Sequence, residues 1–316
     1  MGRVLVTRPL TEGGTDPLIE AGHEIVIPPR PPTPAELVSF AAAFDGIVSH
    51  LTDRIDAAVL ESGSGNRLQV VANAAVGYDN IDVRRASELG ITVCNTPGVL
   101  DDTTADLAFL LVLAATRLAT DAESDLRHGR WEGWGFGDHL ALDVHGATLG
   151  LVGFGRIARA VAQRAAGFDM EVIHTARHDT GLAGYIPDLH ELLRRSDIVS
   201  LHVPLTESTR HLIGAAELAV MKPTAVLINT ARGPVIDENA LVDALEAGRL
   251  HAAGLDVFDG EPAVNPRLLV APRATLLPHI GSATIGTRTR MSRLACQGVS
   301  DVLAGRAPPN AVTPSP

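Results

Sequence analysis

Short β-branched runs alternate with helical patterns along almost the whole chain, and this alternation constrains the fold more than any other feature. Residues 4–7, 24–27, 46–49, 69–72 and 91–94 read as strands. Helices are expected around Leu18 and Ile19, over 35–44 and over 82–89. Strands and helices in alternation predict a parallel sheet in an α/β fold. Pro28-Pro29 and Pro31-Pro32 flank Arg30 and mark a loop, because proline fixes φ and removes a backbone donor. A long helix is predicted from about Asp101 to Arg127. It runs into the Gly- and Trp-rich stretch 129–135, which cannot continue as regular helix. The alternation then restarts over 147–152 and repeats at 171–175, 198–201, 225–229 and 252–256, ending at Leu276-Leu277-Pro278. A last helix is expected over 283–303, apolar at Met291, Leu294, Ala295, Val299 and Val302. The proline-rich tail 308–316 is expected to be loosely ordered.

The pattern therefore has two α/β halves with a boundary near residue 97, and 316 residues suffice for two cores. A hydrophobic content of 46% excludes wholesale disorder. The longest apolar run, 107–115, is far short of the roughly 20 residues a membrane span needs and reads as a buried helix. Arg8 and the following Thr-Glu-Gly-Gly stretch interrupt any signal-peptide core. A net charge of −11 argues against non-specific affinity for nucleic acid or an anionic membrane. Cys94 and Cys296 read as two small buried hydrophobes, and no zinc-type spacing exists, so no metal is expected. Basic charge is nearly all arginine, with Lys222 the one lysine, which reads first as a genomic composition bias. A soluble, cytoplasmic two-domain protein is expected.

The strongest chemical signal is Gly150-Leu151-Val152-Gly153-Phe154-Gly155-Arg156-Ile157-Ala158, directly after a strand pattern and opening a helix. Gly153 permits the tight turn, Gly155 lets the backbone approach a pyrophosphate, and Ala158 permits close helix–strand packing. The N–H groups at such a helix start favour phosphates. A second strand about twenty residues on completes the unit, which predicts dinucleotide binding. That strand ends in Thr175, Ala176 and Arg177, without the acid that would hold a ribose 2′-hydroxyl. An arginine there can pair with a 2′-phosphate, so NADP(H) is expected over NAD(H), which stays open as the alternative.

Three further segments each follow a predicted strand, at the edge where open α/β sheets place their ligands. They are Asn229-Thr230-Ala231-Arg232-Gly233, the run from Gly254 to Pro262, and Leu277-Pro278-His279-Ile280-Gly281-Ser282-Ala283-Thr284. In this order behind that glycine loop, they resemble the D-isomer-specific 2-hydroxyacid dehydrogenase family over nearly the whole chain. The stretches 48–53, 73–79 and 95–99 resemble that family's substrate-loop and hinge segments. Within the family the likeness is to glyoxylate/hydroxypyruvate reductases, on Trp131 to Trp134, the acid-free turn at Arg177 and the segment from His279 to Thr284.

The resemblance implies NADPH-dependent reduction of small 2-keto acids to 2-hydroxy acids. It makes Arg232 the anchor of the substrate carboxylate and keto oxygen, a task suited to its planar fork of donors. His279 becomes the general acid, and Glu261 the carboxylate whose negative charge favours the protonated imidazole. Asp256 is placed at the nicotinamide carboxamide and Arg156 with Ile157 at the pyrophosphate. His202, Val203, Pro204 and Thr206 are placed along the nicotinamide ribose, and Thr230, Ala231 and Gly281 on the cofactor side. The backbone of Val76 and Gly77 is expected to cradle the substrate carboxylate, with His50, Leu51 and Ser282 also on the substrate. The implied architecture is two flavodoxin/Rossmann-like domains with an active-site cleft between them. A discontinuous substrate-binding domain, 1–97 with 286–316, is paired with a dinucleotide-binding domain over 98–285. The resemblance further implies a homodimer, with Trp131 and Trp134 near the partner's active site or simply packed within an irregular loop.

Rival readings differ in substrate or in class. A phosphoglycerate dehydrogenase usually carries a further C-terminal domain, and a formate dehydrogenase lacks the partner that Glu261 provides. Phosphite, D-lactate and branched 2-keto acids remain open, because specificity depends on pocket shape. From another class, a corepressor that senses NADP(H) without turning it over would keep the same triad.

Overall fold

In the computed structural model, which describes residues 1–65 and 67–313, every strand belongs to one of two parallel sheets. The first part of the chain runs β1 (Arg3–Val6), α1 (Asp16–Glu20), β2 (Glu24–Val26), α2 (Pro34–Ala41), β3 (Gly46–Ser49), α3 (Ala57–Gly63), β4 (Val70–Asn73), α4 (Val83–Glu88) and β5 (Thr92–Cys94). Then come α5 (Asp101–Thr116), α6 (Ala119–Arg127), β6 (Thr148–Val152), α7 (Arg156–Ala165), β7 (Glu171–Thr175), α8 (Leu189–Arg195) and β8 (Ile198–Leu201). The chain closes with α9 (Ala215–Val220), β9 (Val226–Asn229), α10 (Glu238–Glu246), β10 (Ala252–Leu255), α11 (Pro266–Leu269), β11 (Ala274–Leu276) and α12 (Ile285–Leu303).

Two units result, Met1–Leu100 joined by the chain from Ser282 onward, and Asp101–Gly281. The first holds a five-stranded sheet in the order β2-β1-β3-β4-β5, the second a six-stranded sheet in the order β11-β10-β9-β8-β6-β7. Both are two-sided. Val4, Leu5 and Val6 are all fully buried, as expected of a parallel strand covered on both faces. Strand order reverses between β1 and β3 in one sheet and between β6 and β8 in the other, the positions where open α/β sheets form ligand crevices. The helix α12 packs on the first sheet, burying Met291, Ala295, Cys296 and Val299. Met291 and Val299 each contribute about 1.5–3 kcal/mol of burial. Cys94 and Cys296 are free and buried.

Two expectations are corrected. The helix drawn over 101–127 is two helices, bent by 67° at the break. Leu118 takes a left-handed conformation (φ 51°) and packs on the core of the second unit, turning α6 away. No glycine or proline marks that break, and α6 buries none of its residues, so it carries no apolar stripe to keep it on the core. The tail is held rather than loose as far as Val312: Asn310 is buried, its Nδ2 donates to Asn95 O at 2.7 Å, and the Val312 N–H donates to Val93 O at 2.8 Å. Residues 314–316 of that tail lie outside the described residues. Helix α3, absent from the sequence reading, starts where Asp56 accepts from the Ala58 and Val59 N–H groups. No single helix among the described residues is long and apolar enough to cross a membrane.

Candidate active site

In the second unit the crevice is built on glycine. Gly153 has φ +91°, and a Cβ there would lie 2.6 Å from the His202 carbonyl oxygen, so only glycine fits. Its N–H donates to Thr175 O at 3.0 Å, tying the turn to the end of β7. Gly155 faces open space instead: a Cβ would meet nothing within 4 Å. It starts α7, whose N-terminus no side chain caps, leaving amide donors for an anion. Ala158 is fully buried, as its packing role requires. Arg156 is exposed and Ile157 half-buried.

Around this loop lie the other cofactor candidates. His202 follows β8, bonds Ser200 Oγ through Nε2 at 2.9 Å, and is pushed down to about 4 by burial of its ring, so it is neutral. Val203 is half-buried, Pro204 and Thr206 are exposed, and the Thr206 hydroxyl is 3.0 Å from Ser208 Oγ. Thr230 Oγ1 is buried with no partner among the described residues, an orphaned polar atom on the loop after β9. The Ala231 N–H donates to Asn229 Oδ1 at 2.9 Å. At the end of β7, Thr175 and Ala176 are half-buried, while Arg177 is exposed and has no partner among the described residues. These features fit a dinucleotide: an open glycine, an uncapped helix start and an unmet hydroxyl.

The acid–base pair forms on the loops after β10 and β11. His279 Nδ1 lies 2.7 Å from Glu261 Oε2, and Glu261 Oε1 accepts the Phe258 N–H at 2.8 Å. A carboxylate only accepts, so Nδ1 carries the proton. His279 Nε2 makes no hydrogen bond within the described residues. Burial pushes Glu261 up, but the His279 bond, the Phe258 N–H and the charges of His279 and Arg232 outweigh it, and Glu261 titrates below its ordinary value. His279 sits at φ +55°, an uncommon conformation for a side chain larger than glycine.

What holds it there is Asp256. That buried carboxylate accepts the Ile280 N–H at 2.7 Å and the Gly281 N–H at 2.8 Å, and burial raises its pKa despite both bonds. A Cβ on Gly281 would lie 3.2 Å from Asp256 Oδ2. Arg232 is half-buried and reaches its neighbourhood through Gly233, where a Cβ would collide with the Phe258 carbonyl carbon at 1.9 Å. That contact brings the Arg232 backbone against the segment leading to Glu261. Asn229 Nδ2 fixes the same turn by donating to Arg232 O at 2.9 Å.

In the first unit the candidates cluster after β3 and β4. The loop carrying Val76 and Gly77 is tied from behind, with Asn95 Nδ2 donating to Val76 O and Asn73 Nδ2 to Gly77 O, both at 2.7 Å. Neither the Val76 nor the Gly77 N–H has a protein acceptor among the described residues, so both are available to an anion. His50 and Leu51 are half-buried after β3, and Ser282 is half-buried. Sequence reasoning missed Arg8, which follows β1 at the same switch point and binds Asp53 Oδ1 at 3.0 Å. Its position one residue beyond the end of a strand pattern was the available signal.

Residues 109–281 match the family described as D-isomer specific 2-hydroxyacid dehydrogenase, NAD binding domain. The chain is 43% identical over 321 residues to a glyoxylate reductase of Thermococcus litoralis, covering 98% of this chain and 96% of that one. It is 45% identical to a glyoxylate reductase of Korarchaeum cryptofilum, covering 98% and 95%. Its structure is similar, with a TM-score of 0.89 and 36% identity over 98% of this chain and 96% of the other, to an NADPH-dependent glyoxylate/hydroxypyruvate reductase from Sinorhizobium meliloti in complex with NADP and malonate. The chain belongs to the D-isomer specific 2-hydroxyacid dehydrogenase family.

Proposed function

We propose that the protein reduces small 2-keto acids, glyoxylate to glycolate and hydroxypyruvate to D-glycerate, with NADPH preferred over NADH. The observation that carries this reading is the His279–Glu261 pair at 2.7 Å, with His279 Nε2 making no hydrogen bond among the described residues.

The nicotinamide, when bound, supplies a hydride to the keto carbon. The residues Gly153, Gly155, Arg156 and Ile157 would hold its pyrophosphate, with His202, Val203, Pro204, Thr206, Thr230, Ala231 and Gly281 along the rest of the nucleotide. The protein's own chemistry is a proton transfer. His279 Nε2 donates a proton to the oxygen of the keto group, turning C=O into C–OH, while Glu261 holds the imidazolium through Nδ1. The resulting neutral imidazole is reprotonated from solvent, since the His279 side chain is 26% exposed. Arg232 anchors carboxylate and keto oxygen, and the free N–H groups of Val76 and Gly77 take the carboxylate. His50, Leu51 and Ser282 are assigned to the rest of the substrate.

NADPH preference is supported by Arg177, exposed at the end of β7 without a partner among the described residues and with no acid beside it to repel a 2′-phosphate. A homodimer is supported by the exposed apolar side chains Leu126, Trp131, Trp134, Phe136 and Leu140, more apolar surface than one irregular segment usually shows to water. A cytoplasmic location goes with this reading. The test is steady-state oxidation of NADPH with glyoxylate, hydroxypyruvate, pyruvate and phenylpyruvate, repeated with NADH. Fast turnover of the first two with NADPH is expected. Turnover of only the bulkier acids overturns the substrate, and binding of NADPH without turnover of any acid overturns the enzyme.

A further inference from the structure

Thr7 and Arg8 follow β1, and His50 follows β3, so the strand reversal of the first sheet brings these residues together. They share one buried carboxylate. Asp53 Oδ2 accepts from Thr7 Oγ1 at 2.6 Å and from the His50 N–H at 2.8 Å, and Oδ1 accepts from Arg8 at 3.0 Å. Thr7 Oγ1 also lies 3.2 Å from His50 Nδ1 and 3.3 Å from Val48 O.

A hydroxyl has one proton, and the short bond to a charged acceptor claims it. Thr7 then has only a lone pair to offer His50, so Nδ1 must carry the ring proton. Burial lowers the His50 pKa, the positive charges of Arg8 and Arg288 lower it further, and Asp53 opposes them without reversing the shift. The ring is neutral at neutral pH, and its Nε2 is a bare acceptor. No donor within the described residues reaches that nitrogen. The two segments that follow β1 and β3 thus fix one tautomer and leave its lone pair without a donor among the described residues.

Resting on the assignment of His50 to the substrate, we infer that His50 Nε2 accepts a hydrogen bond from a hydroxyl on the carbon next to the keto group. The site thereby selects 3-hydroxy-2-keto acids, such as hydroxypyruvate, over glyoxylate and pyruvate. The aldehyde hydrogen of glyoxylate and the methyl of pyruvate offer no proton to that lone pair, whereas a CH2OH group does. Discrimination of this kind comes from leaving a polar group unpaired when the wrong substrate binds.

The experiment compares kcat/KM for hydroxypyruvate and glyoxylate in the wild type, His50→Leu and His50→Gln. The leucine variant is expected to lose about tenfold more for hydroxypyruvate than for glyoxylate, while glutamine, whose amide oxygen accepts, recovers most of that difference. Equal changes for both substrates, or none, in a variant that still turns over glyoxylate overturn the inference and leave the proposed activity standing. A wild type inert to both acids overturns the two together. Should His50→Leu fail to fold, the wild-type pH profile decides: protonation of Nε2 converts the acceptor to a donor. The hydroxypyruvate-to-glyoxylate ratio should then fall on acidification below the ordinary histidine range. A wild-type ratio that stays flat with pH overturns the assignment.

Discussion

Asp256 spends both carboxylate oxygens on the two backbone N–H groups that follow His279, those of Ile280 and Gly281. The residue therefore positions the loop that presents the imidazole, whatever it also offers a cofactor. Removing it leaves the buried Gly281 N–H unpaired, at about 1–3 kcal/mol, and the half-buried Ile280 N–H at less than that. Asp256→Ala should lower Tm by roughly 5–10 °C and reduce kcat, whereas Asp256→Asn keeps one acceptor and should lose about half as much stability. Equal Tm values for wild type and the alanine variant, measured by calorimetry, would show that the loop holds its shape without this carboxylate.

His279→Ala removes the proposed proton donor. A loss of about 10²–10⁴-fold in kcat is expected, the usual range for general acid–base catalysis, with NADPH affinity nearly unchanged. Titration of NADPH fluorescence beside steady-state kinetics separates the two quantities, and a variant retaining near wild-type kcat removes His279 from the mechanism.

The Glu261 carboxylate titrates below its ordinary value in the folded protein, so its ionised form stabilises the fold. A depressed acid contributes fully above the unfolded value, about 4.3, and the contribution is lost as the pH falls through the lower folded value. Urea midpoints of the wild type should therefore drop between about pH 5 and 3 more steeply than those of Glu261→Gln. Parallel pH dependences in the two proteins would mean that the His279 contact adds no net stability.

Much of this was readable in the residues because local chemistry and global fold agree. Each strand of the second unit was placed to within a residue or two, since fully covered parallel strands such as Val226 to Ile228 are unbroken apolar runs. The glycine loop was legible because Gly153 serves a geometric need no other residue meets, and Gly155 leaves the start of α7 open. The break at Leu118 was not, because a leucine in left-handed conformation is imposed by packing rather than by its own preference. Helix α3 went unread although Asp56 announces it. The supporting bonds of Asn73, Asn95 and Asp256 are likewise invisible in sequence, because their partners are backbone groups brought close only by the fold.

Arg177 tests the cofactor reading. It is exposed and unpaired, so its replacement costs the fold little. Facing a 2′-phosphate it would form charge-assisted hydrogen bonds, whereas a carboxylate in its place repels that group and can accept from a ribose hydroxyl. Arg177→Glu should lower kcat/KM for NADPH by about tenfold or more and leave that for NADH within about threefold. An unchanged ratio of the two would return Arg177 to the role of a solvated surface charge.

Gly153→Ala probes the same crevice from the backbone side. The substitution places a methyl 2.6 Å from the His202 carbonyl oxygen at φ +91°, a conformation alanine rarely adopts. Strain of about 1–3 kcal/mol must be relieved, either by the turn opening or by β6 and the segment after β8 parting. Either movement displaces the amides at the start of α7, so NADPH affinity should fall about tenfold or more while the first unit keeps its fold. Isothermal titration with NADPH, together with hydrogen exchange resolved by segment, separates these outcomes. Protection should be lost around residues 150–158 and 202–206 and retained in β1, β3 and β4. An alanine variant that binds NADPH like the wild type would show that the turn tolerates a side chain and that glycine is not what shapes this crevice.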